Sequence, residues 1–148
     1  MAKKIALAAD HAGFDEKEQI KKTLDELGVA YTDMGTDSAA SVDYPDYALK
    51  AAEAVANGEF DQGLLVCGSG TGMAIAANKV HGIRAAVAWN EDIARLAREH
   101  NDANVLSLAA RFNSPDEMDR IVRAWLAADF EGGRHEKRVE KIKAADNC

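Results

Sequence analysis

Short apolar runs alternate along the chain with longer stretches in which apolar residues return every three or four positions, the pattern of buried strands separated by amphipathic helices. The first run, Lys4–Ala9, stops at Asp10, His11, Ala12 and Gly13, as a buried parallel strand stops at a loop. Ile20, Leu24 and Leu27 then recur at helical spacing from about Phe14, and Gly28 stands where a helix end calls for a positive φ. Residues 29–33 predict a second strand, and the polar, small-residue stretch up to Val42 predicts a loop. Pro45 suits the first turn of a helix whose inner stripe is Tyr47, Ala48, Ala51, Ala52 and Val55, ending near Gly58.

The pattern changes most abruptly over residues 63–79, GLLVCGSGTGMAIAANK: an apolar run ends in Cys67, glycines alternate with small hydroxyl residues, and an alanine-rich helical segment follows. Strand, tight loop and helix are predicted in turn. Beyond Gly82, residues 83–88 read as a strand, and Asn90 is placed to cap a helix with Glu91 and Asp92 in its first turn and Ile93, Leu96 and Ala97 inward. That helix closes at His100, Asn101 and Asp102. Residues 104–109 form a fifth strand, and Ser114, Pro115 and Glu117 set out an N-cap, a first-turn proline and a capping glutamate for a helix to about Ala128. A last helix over residues 134–145 follows Gly132 and Gly133 with a thin stripe, Val139 and Ile142, and needs something to pack on. Strands alternating with helices in short units predict one α/β domain over residues 1–148, its five-stranded parallel sheet covered on both faces and its ligands at the carboxyl ends of the strands.

Composition narrows the partners. A chain of 148 residues with 47% hydrophobic content fits one domain with a proper core. A net charge of −7 without long basic runs argues against nucleic acid or an anionic membrane as the main partner. With no spanning apolar run and no signal-peptide pattern, the chain reads as cytoplasmic. The cysteines, Cys67 and Cys148, make neither a disulfide framework nor a zinc pattern and read as free thiols, Cys148 as a tail residue without a role.

Gly68, Gly70 and Gly72 let backbone N–H groups turn toward a ligand, and the following helix adds the positive end of its dipole, so the loop suits an anion, with a thiol at its entrance. No Gly-Lys-Ser/Thr follows, and Met73 and Ala74 break the dinucleotide spacing, which places nucleotide binding below other anions without removing it. Asp10 and His11, His100 and Asn101, and Arg134 with Arg138 are the other groups with chemistry to offer. Arg134 and Arg138, four apart, would share one helical face, which is also what a solvated basic surface looks like. Tyr44 and Tyr47 read equally as core or interface.

The segments AADHAGF, DYP, CGSGTGMAIAANK, IRAA, HNDANVL and EGGRHEKRV, in this order across nearly the whole chain, resemble the type B ribose-5-phosphate isomerases and their galactose-6-phosphate and allose-6-phosphate isomerase relatives. The resemblance implies a three-layer Rossmann-like fold and a metal-independent aldose–ketose isomerase without cofactor, acting as a homodimer or dimer of dimers with shared active sites. Ring opening, removal of the C2 proton and a cis-enediolate are the implied steps, on ribose 5-phosphate or a six-carbon sugar phosphate. By the same resemblance Cys67 is the base, His100 the acid of ring opening with Asp10 expected to act in the same step, and Asp10 and His11 contact sugar and phosphate. The loop Gly68, Ser69, Gly70, Thr71 and Gly72 is the anion hole, with the Ser69 hydroxyl placed to relay a proton between O1 and O2. Asn101 is a sugar contact, Arg111, Arg134 and Arg138 are phosphate ligands, and Tyr44 lies near the site. One branch of the family lacks the cysteine and carries a glutamate just after the glycine loop; Met73 stands there, which favours Cys67.

Overall fold

A computed structural model describes residues 3–146; Cys148 lies outside them. The strands are β1 (Lys4–Ala9), β2 (Ala30–Asp33), β3 (Gln62–Cys67), β4 (Ala85–Val87) and β5 (Val105–Ala109), and the helices α1 (Phe14–Leu27), α2 (Tyr44–Ala56), α3 (Thr71–Ala77), α4 (Glu91–Asn101), α5 (Pro115–Ala127) and α6 (Glu136–Ala145). All strand pairs are parallel, in the order β2-β1-β3-β5-β4. The predicted three-layer α/β fold is the one observed.

Strand alternation builds two cores. Ile5, Leu7, Leu64, Val66, Leu106 and Leu108 face α1, α4 and α5, where Trp125 is fully buried. Ala6, Ala8, Leu65, Cys67 and Val105 face α2 and α3, a thinner, alanine-rich layer that lets those helices lie close to the sheet. Helix ends follow the sequence: Gly28 takes φ 68°, Asn90 accepts from the Ile93 N–H, and Ser114 and Glu117 form a reciprocal capping box. Lys17 is wholly buried, its ammonium donating to Asp33 and to the Thr36 carbonyl, so a charge on α1 pins the chain that leaves β2. Burial pushes the Asp33 carboxyl up, but hydrogen bonds from Lys17, Lys21 and the Gly35 N–H prevail and hold it below the usual carboxylate range.

Four expectations need correction. β4 is shorter than residues 83–88, because the Arg84 carbonyl turns to accept from the Asn104 and Val105 N–H groups. Leu27 is 42% exposed, since the last turn of α1 overhangs the core. The last helix begins at Glu136, after a 3-10 turn over Gly133–His135 entered through positive φ at Gly132 and Gly133. Arg134 therefore belongs to that turn and Arg138 to α6, not to one continuous helical face. Val139 is buried but Ile142 is 49% exposed, so the stripe of α6 is only partly covered within one chain.

Candidate active site

Because every strand runs the same way, the sheet has a carboxyl edge and an amino edge. The chain goes outward from β1 to β2, then crosses back past β1 to β3 and on to the other side of the sheet, so the carboxyl ends of β1 and β3 flank the switch point where ligands collect in such sheets. Asp10 follows β1 directly. It is buried, and its Oδ1 accepts from the Ala12 and Gly13 N–H groups at 2.9 and 3.1 Å, which caps the short 3-10 turn His11–Gly13. His11 Nδ1 accepts from the Val42 N–H at 3.1 Å, which leaves Nε2 as the proton-bearing nitrogen of the neutral ring. Gly13 is a packing requirement: a Cβ there would lie 2.5 Å from the Val66 carbonyl oxygen.

The glycine loop after β3 curls back on its own thiol. Cys67 Sγ accepts from the Gly70 N–H at 3.1 Å, so the loop's own backbone fixes where the sulfur sits. Gly70 has φ 79°, and its carbonyl accepts from the buried Ser107 hydroxyl at 2.6 Å, so β5 fixes the loop from beneath. The Thr71 N–H donates to Ser69 Oγ at 3.3 Å. Gly68 and Gly72 serve a further purpose: a Cβ on Gly68 would lie 3.1 Å from the Arg111 guanidinium, and one on Gly72 would lie 2.6 Å from the Tyr44 ring. The absent side chains are the seats of Arg111 and Tyr44. Arg111 is itself tied down, its N–H donating to the Gly68 carbonyl at 3.0 Å. Asp10, His11, Tyr44, Cys67, Gly68, Ser69, Gly72 and Arg111 line one cleft of about 350 Å³.

His100, Asn101, Arg134 and Arg138 do not join them. α4 returns from the carboxyl end of β4 to the amino end of β5, so its last turn, carrying His100 and Asn101, lies at the opposite edge of the sheet. There the His100 and His135 rings stack at 4.1 Å, and Glu131 faces both. Burial, then His100 and Arg134, hold the His135 imidazole below its ordinary range. Asn101 lines a larger cavity of about 560 Å³, bounded by Ile83, Ala85 and Ile142 and away from Cys67. The arginines divide differently, by pairing. Arg84, Arg95, Arg98, Arg120 and Arg123 are ion-paired, whereas among the described residues Arg111, Arg134 and Arg138 have no ion pair. The three left without one are those expected to hold phosphate.

The family model described as Ribose/Galactose Isomerase matches residues 5–142. This chain belongs to that family. Ribose-5-phosphate isomerase B of Escherichia coli (strain K12) is 50% identical over 144 residues, 97% of each chain. The structure of ribose-5-phosphate isomerase B from Clostridium thermocellum superimposes with a TM-score of 0.95 at 50% identity, covering 97% of each chain. That of the Mycoplasma genitalium protein with bound ribulose-5-phosphate gives a TM-score of 0.93 at 42% identity, covering 97% of this chain and 96% of that one. No helix among the described residues is long and apolar enough to cross a membrane.

Sequence reasoning about this isomerase-family chain passed over Gly13, Ser107, Glu131 and His135. Ser107 carried a signal, as the lone hydroxyl in the apolar run VLSLA. Glu131 and His135 stand four apart around two glycines, a spacing that shows its use only once α4 delivers His100 between them.

Proposed function

We propose that this chain interconverts D-ribose 5-phosphate and D-ribulose 5-phosphate, with each active site shared between two copies. The observation that carries this reading is the Cys67 thiol, held by the Gly70 N–H beside Asp10, His11 and Arg111 in the cleft at the sheet's switch point. Isomerisation needs a base at C2 and stabilisation of the enediolate that forms. Cys67 as thiolate takes the C2 proton and returns it to C1. N–H groups of residues 68–72 not engaged with sulfur meet the developing oxyanion, and the Ser69 hydroxyl, already an acceptor from Thr71, moves a proton between O1 and O2. Asp10, with His100 from the other copy, opens the furanose ring. His11, with Nε2 as its donor, and the guanidinium of Arg111 meet phosphate at the cleft; Arg134 and Arg138 of the second copy complete its binding.

Two features support the shared site. Parallel strands place His100 and Cys67 at opposite edges of one sheet, a separation that side-chain rotation cannot close. Around the carboxyl edge, Phe112 (74% exposed) and Trp89 (56% exposed) present apolar surface beside Arg111 and the end of β4, as an interface rim would.

Initial rates on ribose 5-phosphate, ribulose 5-phosphate, allose 6-phosphate and galactose 6-phosphate, with chelator present, test the substrate. The five-carbon pair is expected to be turned over and chelator to cost nothing. Mixing inactive Cys67→Ala and His100→Asn chains, with subunit exchange, tests the sharing: random pairing into dimers leaves one intact site in each hybrid, so about a quarter of wild-type activity returns. No recovery after proven exchange refutes a site built from two copies.

A further inference from the structure

The cluster at the amino edge has a use that isomerisation does not require. His100 Nε2 lies 3.7 Å and His135 Nε2 3.6 Å from the same oxygen, Glu131 Oε1, and the three ligand atoms lie within 4.8 Å of one another. A tetrahedral zinc ion with bonds of about 2.0–2.1 Å sets its ligand atoms about 3.4 Å apart, so the carboxylate-to-imidazole spacings are within a few tenths of an ångström of those of a bound ion. We propose that His100, Glu131 and His135 form a site for a divalent cation of the zinc class, and that the bound ion withdraws His100 from isomerisation. The second half of this inference rests on the role proposed above for His100; the first half does not.

The placement of the ligands is fixed by more than proximity. The Glu131 N–H donates to the Glu99 carbonyl at 3.0 Å, tying the loop before α6 to the last turn of α4. His135 is buried, with its side chain only 8% exposed, so its ring is held in one place beside the Glu131 carboxylate. His100 and Glu131 are more open, their side chains 35% and 53% exposed, so an ion can enter from solvent. The imidazole planes are inclined by only 14°, and chelation requires them to fan apart, a rotation for which the partly exposed His100 has room. Two imidazoles and one carboxylate supply three protein ligands, and water fills the fourth position, the ligand set of an open zinc site.

Full-length protein without substrate is titrated with Zn²⁺ by calorimetry and with Co²⁺ by visible absorption, alongside Glu131→Gln, His135→Gln and Cys67→Ser chains. Wild type and Cys67→Ser are expected to bind Zn²⁺ alike, while Glu131→Gln and His135→Gln each lose about tenfold or more in affinity. Co²⁺ should give the intense d–d bands of a four-coordinate ion without a sulfur charge-transfer band. Zn²⁺ is also expected to inhibit the wild-type isomerase reversibly, and Glu131→Gln, measured against its own metal-free rate, to need about tenfold more Zn²⁺ for the same fractional inhibition. Unchanged affinity in both ligand variants, or affinity lost in Cys67→Ser alone, overturns the site. Zn²⁺ held at the site with isomerisation undisturbed overturns the withdrawal of His100, and that result is separable because binding is read without substrate.

Discussion

At the carboxyl edge of the sheet the functional groups are held by backbone. Sulfur accepts from the Gly70 N–H, Asp10 from the Ala12 and Gly13 N–H groups, and His11 from the Val42 N–H. At the amino edge they are held by other side chains: His100 rests on the His135 ring and faces the Glu131 carboxylate. The two edges consequently tolerate change differently. A backbone cradle survives the loss of the side chain it holds but fails when a glycine acquires a Cβ, whereas a side-chain cluster retunes or loses function one member at a time while the fold stays intact.

Removing the proposed base, Cys67, is expected to give the largest effect. Cys67→Ala is expected to lower kcat/KM for ribose 5-phosphate by more than about a hundredfold while the circular dichroism spectrum is kept, since loss of a general base typically costs that much and alanine fits the loop. More than about a tenth of wild-type kcat/KM, a loss under about 1.4 kcal/mol, places the base elsewhere. Gly13→Ala attacks the cradle instead. With a Cβ 2.5 Å from the Val66 carbonyl oxygen, the short turn and β3 must move apart. Overpacking of this kind costs about 1–3 kcal/mol, which thermal denaturation should read as a drop in Tm of several degrees. A Tm equal to that of the wild type would show that the turn yields freely.

Those two variants bear on what was legible in the sequence. The sheet, its helices and their caps could be read in advance because strand runs, Asn90, Ser114 with Glu117, and Gly28 act locally. The glycine loop was legible as a tight turn between strand and helix for the same reason. That Gly68 and Gly72 make room for Arg111 and Tyr44 was not, because those contacts join residues far apart in the chain. Nor was the division of the expected site between two edges. His100 and Cys67 each occur beside a strand, and only the direction of α4 decides that one lies at the amino end and the other at the carboxyl end. Arg134 was read as the first residue of the last helix; paired positive φ at Gly132 and Gly133 imposes a separate turn before it.

A smaller effect is expected at the amino edge from Arg138→Ala, about tenfold in kcat/KM or about 1.4 kcal/mol, carried mainly by KM and with little change on unphosphorylated ribose. Since Arg138 has no ion pair among the described residues, Tm should stay at the wild-type value; equal losses on ribose and ribose 5-phosphate would remove the arginine from the phosphate. The smallest effect concerns pH. His135 binds its proton less readily in the fold than in the unfolded chain, so its neutral form supports the fold above the ordinary imidazole pKa, about 6.5. That support is lost as pH falls through the lower folded value, because the unfolded state takes up the proton first. His135→Gln should flatten the fall of Tm between about pH 7 and pH 5, and an unaltered profile would assign the dependence to other groups.

The two tryptophans divide between the core and the surface proposed for association. Trp125 is wholly enclosed by the core that α5 closes, while Trp89 stands 56% exposed on the rim of the carboxyl edge. One indole is therefore a lamp inside the fold and the other a lamp at its door. Emission from Trp125 shifts to the red only when the core opens, whereas emission from Trp89 moves toward the blue when a second chain covers the rim and water leaves its ring. With each tryptophan replaced in turn by phenylalanine, fluorescence on dilution would separate loss of the proposed companion from loss of structure, without any added label.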